Sequence, residues 1–264
     1  MKSNRKSKKN KAKREATTAE VLRQSRMKIL NENSPYAFKE AYVRLRTNLM
    51  FGVAASGESG CKVVVVTSSN PSEGKTTNSI NIAISFAMLG KRVLLIDSDM
   101  RKPQVARVLN VEQNNGFSNL LGGVGECVIH TITDVSLDFI SAGKIPPNPA
   151  ELLSSPAFKA RLNELKQQYD YIFIDTPPVN SVADAQIIAP NVDGVALIVR
   201  AETTRIQDLL RAEEVLRSSG ARIIGIIANN LETKASRYSY SYKAYKEYKE
   251  YREYRRHSVE EYKL

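Results

Sequence analysis

Three stretches of this chain set phosphate- and metal-binding residue types directly behind apolar runs. The first is Ser69-Asn70-Pro71-Ser72-Glu73-Gly74-Lys75-Thr76-Thr77, which follows the run KVVVVT at 62–67. Backbone N–H groups of such a loop, at the start of a helix, point at phosphate oxygens. The Lys75 ammonium is placed to bridge terminal phosphates and the Thr76 hydroxyl to ligate Mg2+. Ser72, Glu73, Gly74 and Thr77 complete the loop around the phosphates. The pattern is that of a P-loop, with Ser69 in place of the first Gly of G-x-x-x-x-G-K-[ST]. The second stretch is Asp97-Ser98-Asp99-Met100-Arg101, behind the apolar run ending at Ile96. Carboxylates at i and i+2 leave a strand end on one side. They can hold Mg2+ directly or through water, and one can take a hydroxyl proton. Arg101 can neutralise phosphate charge. The third is Asp175, which closes the run 171–174 and precedes Thr176-Pro177-Pro178. An Asp there orients Mg2+ or its water shell. Together the three motifs specify an ATP–Mg2+ site, without naming the group that receives the phosphoryl.

The elements around them must alternate. Continuous apolar runs at 62–67, 92–96, 137–141, 171–174, 194–199 and 223–228 read as buried strands. Helical patterns cover 76–89, 157–168, 181–189 and 205–219. An earlier helix starts at Ser34-Pro35, runs through Phe38, Tyr42, Leu45 and Leu49, and is broken by 57–60; a short helix over 19–30 precedes it. Buried strands separated by amphipathic helices mean an α/β, doubly wound, mostly parallel sheet covered on both faces. Ligands of such a sheet lie beyond the carboxyl ends of its strands, where all three motifs fall.

Charge divides the 264 residues into three parts. Residues 1–28 carry 11 Lys/Arg against Glu15 and Glu20, or +9; residues 234–264 carry nine against five Glu, or +4; the remainder carries 19 against 21, or −2. The expected organisation is a flexible basic arm (1–30), a P-loop ATP-binding domain (31–233, with an N-terminal helix at 31–57 as a subunit contact) and a tail (234–264). A basic arm suits anionic lipid or an acidic partner as well as nucleic acid. A nucleic-acid-binding domain would instead concentrate charge on a folded face, so nucleic acid is not the expected partner. No apolar run reaches the length of a transmembrane helix, and the basic N-terminus leads into no apolar signal region. Two cysteines (Cys61, Cys127) and two histidines (His130, His257) argue against a zinc site or a His-based triad.

The tail is the most unusual segment. Eight of the 12 tyrosines lie there: Tyr238, Tyr240, Tyr242, Tyr245, Tyr248, Tyr251, Tyr254 and Tyr262. From Tyr242 to Tyr254 they recur every third residue, among Lys, Arg and Glu. That spacing drifts by roughly 60° per step around a helix, so the rings form no steady apolar stripe. Accessible phenols beside acidic residues suit phosphoryl acceptance; a stacking platform for single-stranded nucleic acid is the other chemistry such a tail offers. Each phosphate adds about −1.5 to −2 charges, so two or three would reverse the tail's +4.

The P-loop SNPSEGKTT, the stretches LLIDSDMRKP and IFIDTPP, and the tyrosine cluster together resemble the bacterial tyrosine kinases of capsule and exopolysaccharide systems, in the cytoplasmic form of Gram-positive bacteria. Residues 40–48 and 141–153 add to the resemblance, which covers roughly 34–255. It implies an ATP- and Mg2+-dependent enzyme that phosphorylates tyrosines of its own tail (Tyr238 to Tyr254) and of other proteins, in trans within a ring of subunits, and regulates polysaccharide synthesis. Asp97 would be metal ligand and base, with Asp99 and Asp175 completing the metal site beside Thr76. Asn229 would stand where the wider fold contacts adenine. The family's E-x-x-R-x-x-R subunit contact is matched by Glu40 and Arg46, while Val43 takes the first Arg position and Arg44 lies one place on. A membrane adaptor of the chain-length-determinant type would recruit the cytoplasmic enzyme to the inner face of the plasma membrane, with the basic arm adding affinity for anionic lipid. The alternative is a partition or MinD-like P-loop ATPase without kinase activity. Proteins of that kind use a Lys near the start of the loop; Ser69 to Ser72 hold none.

Overall fold

The structure, a computed structural model, describes residues 20, 23–54, 60–113 and 115–230. Its centre is strand β1 (Lys62–Ser68), whose four consecutive valines are fully buried. β-Branched side chains fit a pleated surface, and a strand with no polar face must be covered on both sides. β1 lies between β5 (Tyr171–Asp175) and β6 (Gly194–Arg200), parallel to both. Among the described residues the sheet has seven strands in the order β3-β4-β2-β5-β1-β6-β7. β2 is Val93–Asp97, β4 Leu137–Ile140 and β7 Ile223–Asn229. Only β3 (Ile129–Ile132), paired with β4, runs antiparallel.

Period-two alternation sends Val63 and Val65 into one core with Ile172, Ile174 and Leu197. Val64 and Val66 enter a second core with Ile80, Ile84, Phe86 and Phe173. The second face is covered by α1 (Tyr36–Ala54) and α2 (Lys75–Ala87). The first is covered by α4 (Phe117–Gly122), α6 (Pro156–Lys166), α7 (Asp184–Ile188) and α8 (Ile206–Ser218). Two short helices, α3 (Val105–Leu109) and α5 (Pro149–Ser154), complete the set. Each fully buried Val, Leu or Ile contributes roughly 1.5–3 kcal/mol.

The six strands and the longer helices expected from apolar patterning are present, with ends shifted by a few residues. Three short helices and β3 are additions. A helix of five or six residues is too short to display a period. β3 reads Ile-His-Thr-Ile and alternates between exposed and half-buried as an edge strand, so it lacks the continuous apolar signature. The N-terminal helix is described as far as Ala54; 55–59, where its end is expected, lie outside the described residues. Arg26 to Leu30, expected within a flexible arm, are docked. The Arg26 guanidinium donates to the Arg107 carbonyl and to Asn110 Oδ1, both at 2.9 Å, and Leu30 is buried. Among the described residues, no helix is long and apolar enough to cross a membrane.

Candidate active site

The loop after β1 closes on Gly74, the N-cap of α2, at φ 88°. A Cβ at Gly74 would stand 2.1 Å from Asn229 Nδ2, so both conformation and space demand glycine. Ser69 is not among the positive-φ residues, so its departure from glycine costs the backbone nothing. The first turn of α2 has neither a side-chain cap nor an acidic residue, which leaves its N–H groups open to an anion. Thr77 sits half-buried in that turn. The loop is braced from several sides. The buried Glu73 carboxylate accepts from the Asn70 N–H at 2.9 Å and from the Thr204 hydroxyl. Arg200 donates to the Ser72 carbonyl at 3.4 Å. Asn229 Nδ2 donates to the Glu73 carbonyl at 2.9 Å. Glu73 and Asn229, expected to meet nucleotide, thus spend these side-chain groups on shaping the loop.

The register of β2 on β5 sets Asp97 beside Asp175 at the sheet's carboxyl edge. Both are fully buried. Lys75 Nζ lies 3.2 Å from Asp99 Oδ2 and 3.3 Å from Asp175 Oδ2. Thr76 donates to Asp175 Oδ2 at 2.8 Å, and Ser79 to its Oδ1 at 2.9 Å. Asp97 Oδ1 accepts from the Asp99 N–H at 3.1 Å; its Oδ2 accepts from the N–H groups of Gln104 at 3.1 Å and Val105 at 3.0 Å. Burial, reinforced by the Asp175 charge, raises the Asp97 pKa to about 7. Burial also raises that of Asp175, against Lys75, Thr76 and Ser79. Burial works against the Lys75 ammonium, but Asp175, Asp99 and Asp97 outweigh it and its pKa is raised. Three buried carboxylates thus share one ammonium. Among the described residues no three His, Cys, Asp or Glu side chains converge at metal-ligand spacing, since Lys75 stands between Asp99 and Asp175. The excess negative charge and the oxygen-only donor set of Asp97, Asp99, Asp175 and Thr76 nevertheless fit a hard divalent cation such as Mg2+.

Arg101 is bound to Asp184 at 3.3 Å, and Asp184 is wholly buried. Sequence reading missed Asp184; its only signal is a carboxylate at the start of a short helix that carries no other charge. It also missed Thr204 and Ser79, whose roles depend on contacts distant in sequence. The expected subunit-contact residues divide. Arg46 donates to the Ser85 carbonyl of its own chain, Arg44 is exposed and Glu40 half-buried. Tyr238, Tyr240, Tyr242, Tyr245, Tyr248, Tyr251, Tyr254 and Tyr262 lie outside the described residues.

A family model described as an AAA domain matches residues 61–207. Tyrosine-protein kinase YwqD of Bacillus subtilis (strain 168) is 39% identical over 204 residues, which cover 76% of this chain and 85% of that protein. The chimerical protein CapA2B2 superposes with a TM-score of 0.70 at 33% identity, covering 76% of this chain and 87% of that one. The kinase domain of the Escherichia coli tyrosine kinase ETK gives 0.68 at 29% identity, with coverages of 74% and 78%.

Proposed function

We propose a division of labour in the active site of this chain, which belongs to the bacterial tyrosine kinases of capsule and exopolysaccharide biosynthesis. The enzyme is a protein-tyrosine kinase. The observation that carries the site assignment is the cluster of Lys75, Asp97, Asp99 and Asp175 beneath the open N-terminus of α2. ATP supplies the phosphoryl group; Thr76, Asp97, Asp99 and Asp175 would hold Mg2+, which would supply neutralisation of phosphate charge. The N–H groups of Gly74, Lys75 and Thr76 cradle the phosphates. Lys75, now between two carboxylates, follows the terminal phosphate. Arg101, oriented by Asp184, adds positive charge at the edge of the site. Asp97 accepts the phenolic proton while the phenolic oxygen bonds to the γ-phosphorus; the bond to the β–γ bridging oxygen breaks and ADP leaves. Burial raises the Asp97 carboxyl above the ordinary carboxylate range, which favours proton acceptance.

The acceptors on this reading are Tyr238 to Tyr254, presented in trans to a neighbouring subunit. Glu40, Arg44 and Arg46 on α1 make the subunit contact. A membrane adaptor recruits the cytoplasmic enzyme to the inner face of the plasma membrane, and the +9 of residues 1–28 adds attraction to anionic lipid. A partition-type ATPase would leave the eight tail tyrosines without a use. The decisive pair of variants is Lys75→Met and Asp97→Asn, assayed for transfer of labelled phosphate from Mg-ATP to tyrosine. Both should lose transfer; retention in Lys75→Met would overturn the assignment, and retention in Asp97→Asn would move the base elsewhere.

A further inference from the structure

One buried hydrogen-bonded chain leaves the active site and is used by nothing described above. Asn78, in the second turn of α2, donates from Nδ2 to the Gly74 carbonyl at 2.9 Å. Its Oδ1 accepts from the Tyr42 hydroxyl of α1 at 3.0 Å. That hydroxyl accepts in turn from Asn81 Nδ2 at 3.0 Å. Asn81 also donates to the Lys28 carbonyl at 2.8 Å and accepts from the Leu30 N–H at 2.8 Å. Tyr42 is 8% exposed, Asn78 5% and Asn81 0%, so water does not readily replace a lost partner.

Peptide units are planar and trans, so a carbonyl and the N–H that follows it point in opposite directions. Fixing the Gly74 carbonyl therefore fixes the direction of the Lys75 N–H. Asn229, by holding the Glu73 carbonyl, fixes the Gly74 N–H in the same way. Asn229 from β7 and Asn78 from α2 thus hold two successive carbonyls of the loop, the Asn78 amide adding to the helix's own bond from the Asn78 N–H to the Gly74 carbonyl at 3.0 Å. The Asn229 amide is held by its place at the end of β7. The Asn78 amide can rotate about its own side chain, and the Tyr42 hydroxyl is what sets its face: a donor opposite Oδ1 forces Nδ2 toward Gly74.

We propose that Tyr42 is a positioning residue for the phosphate-binding loop, acting through Asn78 to orient the Lys75 N–H toward the nucleotide. The ring itself packs edge-on against Phe38, with centroids 5.1 Å apart, so phenylalanine preserves the packing and removes the one group that matters. Because Tyr42 belongs to α1, the aim of the loop also depends on where α1 lies.

The inference rests on the nucleotide reading of the loop, and ATP binding separates the two. In the full-length chain with Mg2+, Tyr42→Phe should raise the Kd and KM for ATP by about three- to tenfold, with kcat within about twofold. Asn78→Ala, which deletes the amide, should weaken ATP at least as much. Asn81→Ala cuts the chain on the far side of Tyr42; it should lower Tm comparably and leave the Kd for ATP within about twofold of wild type. A merely structural network would move Tm in all three and Kd in none. An unchanged Kd in Tyr42→Phe, or an equal loss in Asn81→Ala, would overturn the positioning role. Should Tyr42→Phe fail to fold, equal Kd values for Asn78→Ala and Asn81→Ala would overturn it as well. A wild-type chain that binds no ATP would end the nucleotide reading and this inference with it.

Discussion

The two ends of the same parallel strands treat charge in opposite ways. At the amino ends, the Asp193 and Asp170 carboxylates each meet a cation and a backbone N–H. Asp193 accepts from the Val63 N–H at 2.7 Å and lies 3.8 Å from Lys62 Nζ. Asp170 takes the Arg92 guanidinium at 2.9 Å and the Arg92 N–H at 2.9 Å, and its pKa is lowered by those hydrogen bonds. At the carboxyl ends, Asp97, Asp99 and Asp175 share Lys75, and the pKa values of Asp97 and Asp175 are raised by burial. At the first end these carboxylates are spent on neighbouring cations and strand N–H groups. The second holds uncompensated charge at a cost to stability, which is the mark of a site built for charged ligands.

The contrast can be broken most severely at Lys75. Lys75→Met should lower phosphoryl transfer by roughly a thousandfold or more, because the transition-state charge loses its clamp. At the amino end, Asp193→Ala should leave transfer unchanged and lower unfolding free energy by about 1–3 kcal/mol, since the Val63 N–H and the Lys62 ammonium lose a buried acceptor. Urea unfolding and the kinase assay on one preparation check both halves.

The Asp97 pKa sharpens the comparison further. Its raised folded value means that the neutral form is favoured in the fold. Its contribution to stability is present in full below the ordinary carboxylate range and is lost as pH rises through about 7. Without Mg2+, Asp97→Asn should therefore melt higher than wild type at pH 8, with the gap closing toward pH 5. The smallest effect is expected at Arg92, whose pair with Asp170 is solvent-exposed. Arg92→Ala should shift Tm by a degree or so and leave the kinetics alone.

The sequence carried the sheet and the phosphate loop because both write local signatures. Val63 to Val66 can only be a strand covered on both sides, and Gly74-Lys75-Thr76 directly behind it can only open a helix toward phosphate. Asp97 and Asp175 were legible for the same reason: each ends an apolar run. What was not legible depends on contacts between distant residues. Nothing near Asp184 announces Arg101 as its partner, and nothing near Glu73 announces Thr204 or Asn229. Arg46, expected at a subunit contact, also donates to the Ser85 carbonyl of its own chain, a bond between α1 and α2 that nothing in the local sequence announces. Asn78 and Tyr42, 36 residues apart, read separately as an ordinary helix amide and an ordinary core aromatic.

The central claim is that the charge-rich end transfers phosphate from ATP to the tail tyrosines. Its most direct test is mass spectrometry of the purified full-length chain after incubation with Mg-ATP, beside Lys75→Met, with and without membranes of the source cell. The account predicts phosphate on tyrosines between Tyr238 and Tyr254 that disappears in Lys75→Met. ATP hydrolysis with no phosphotyrosine, under either condition, would contradict it.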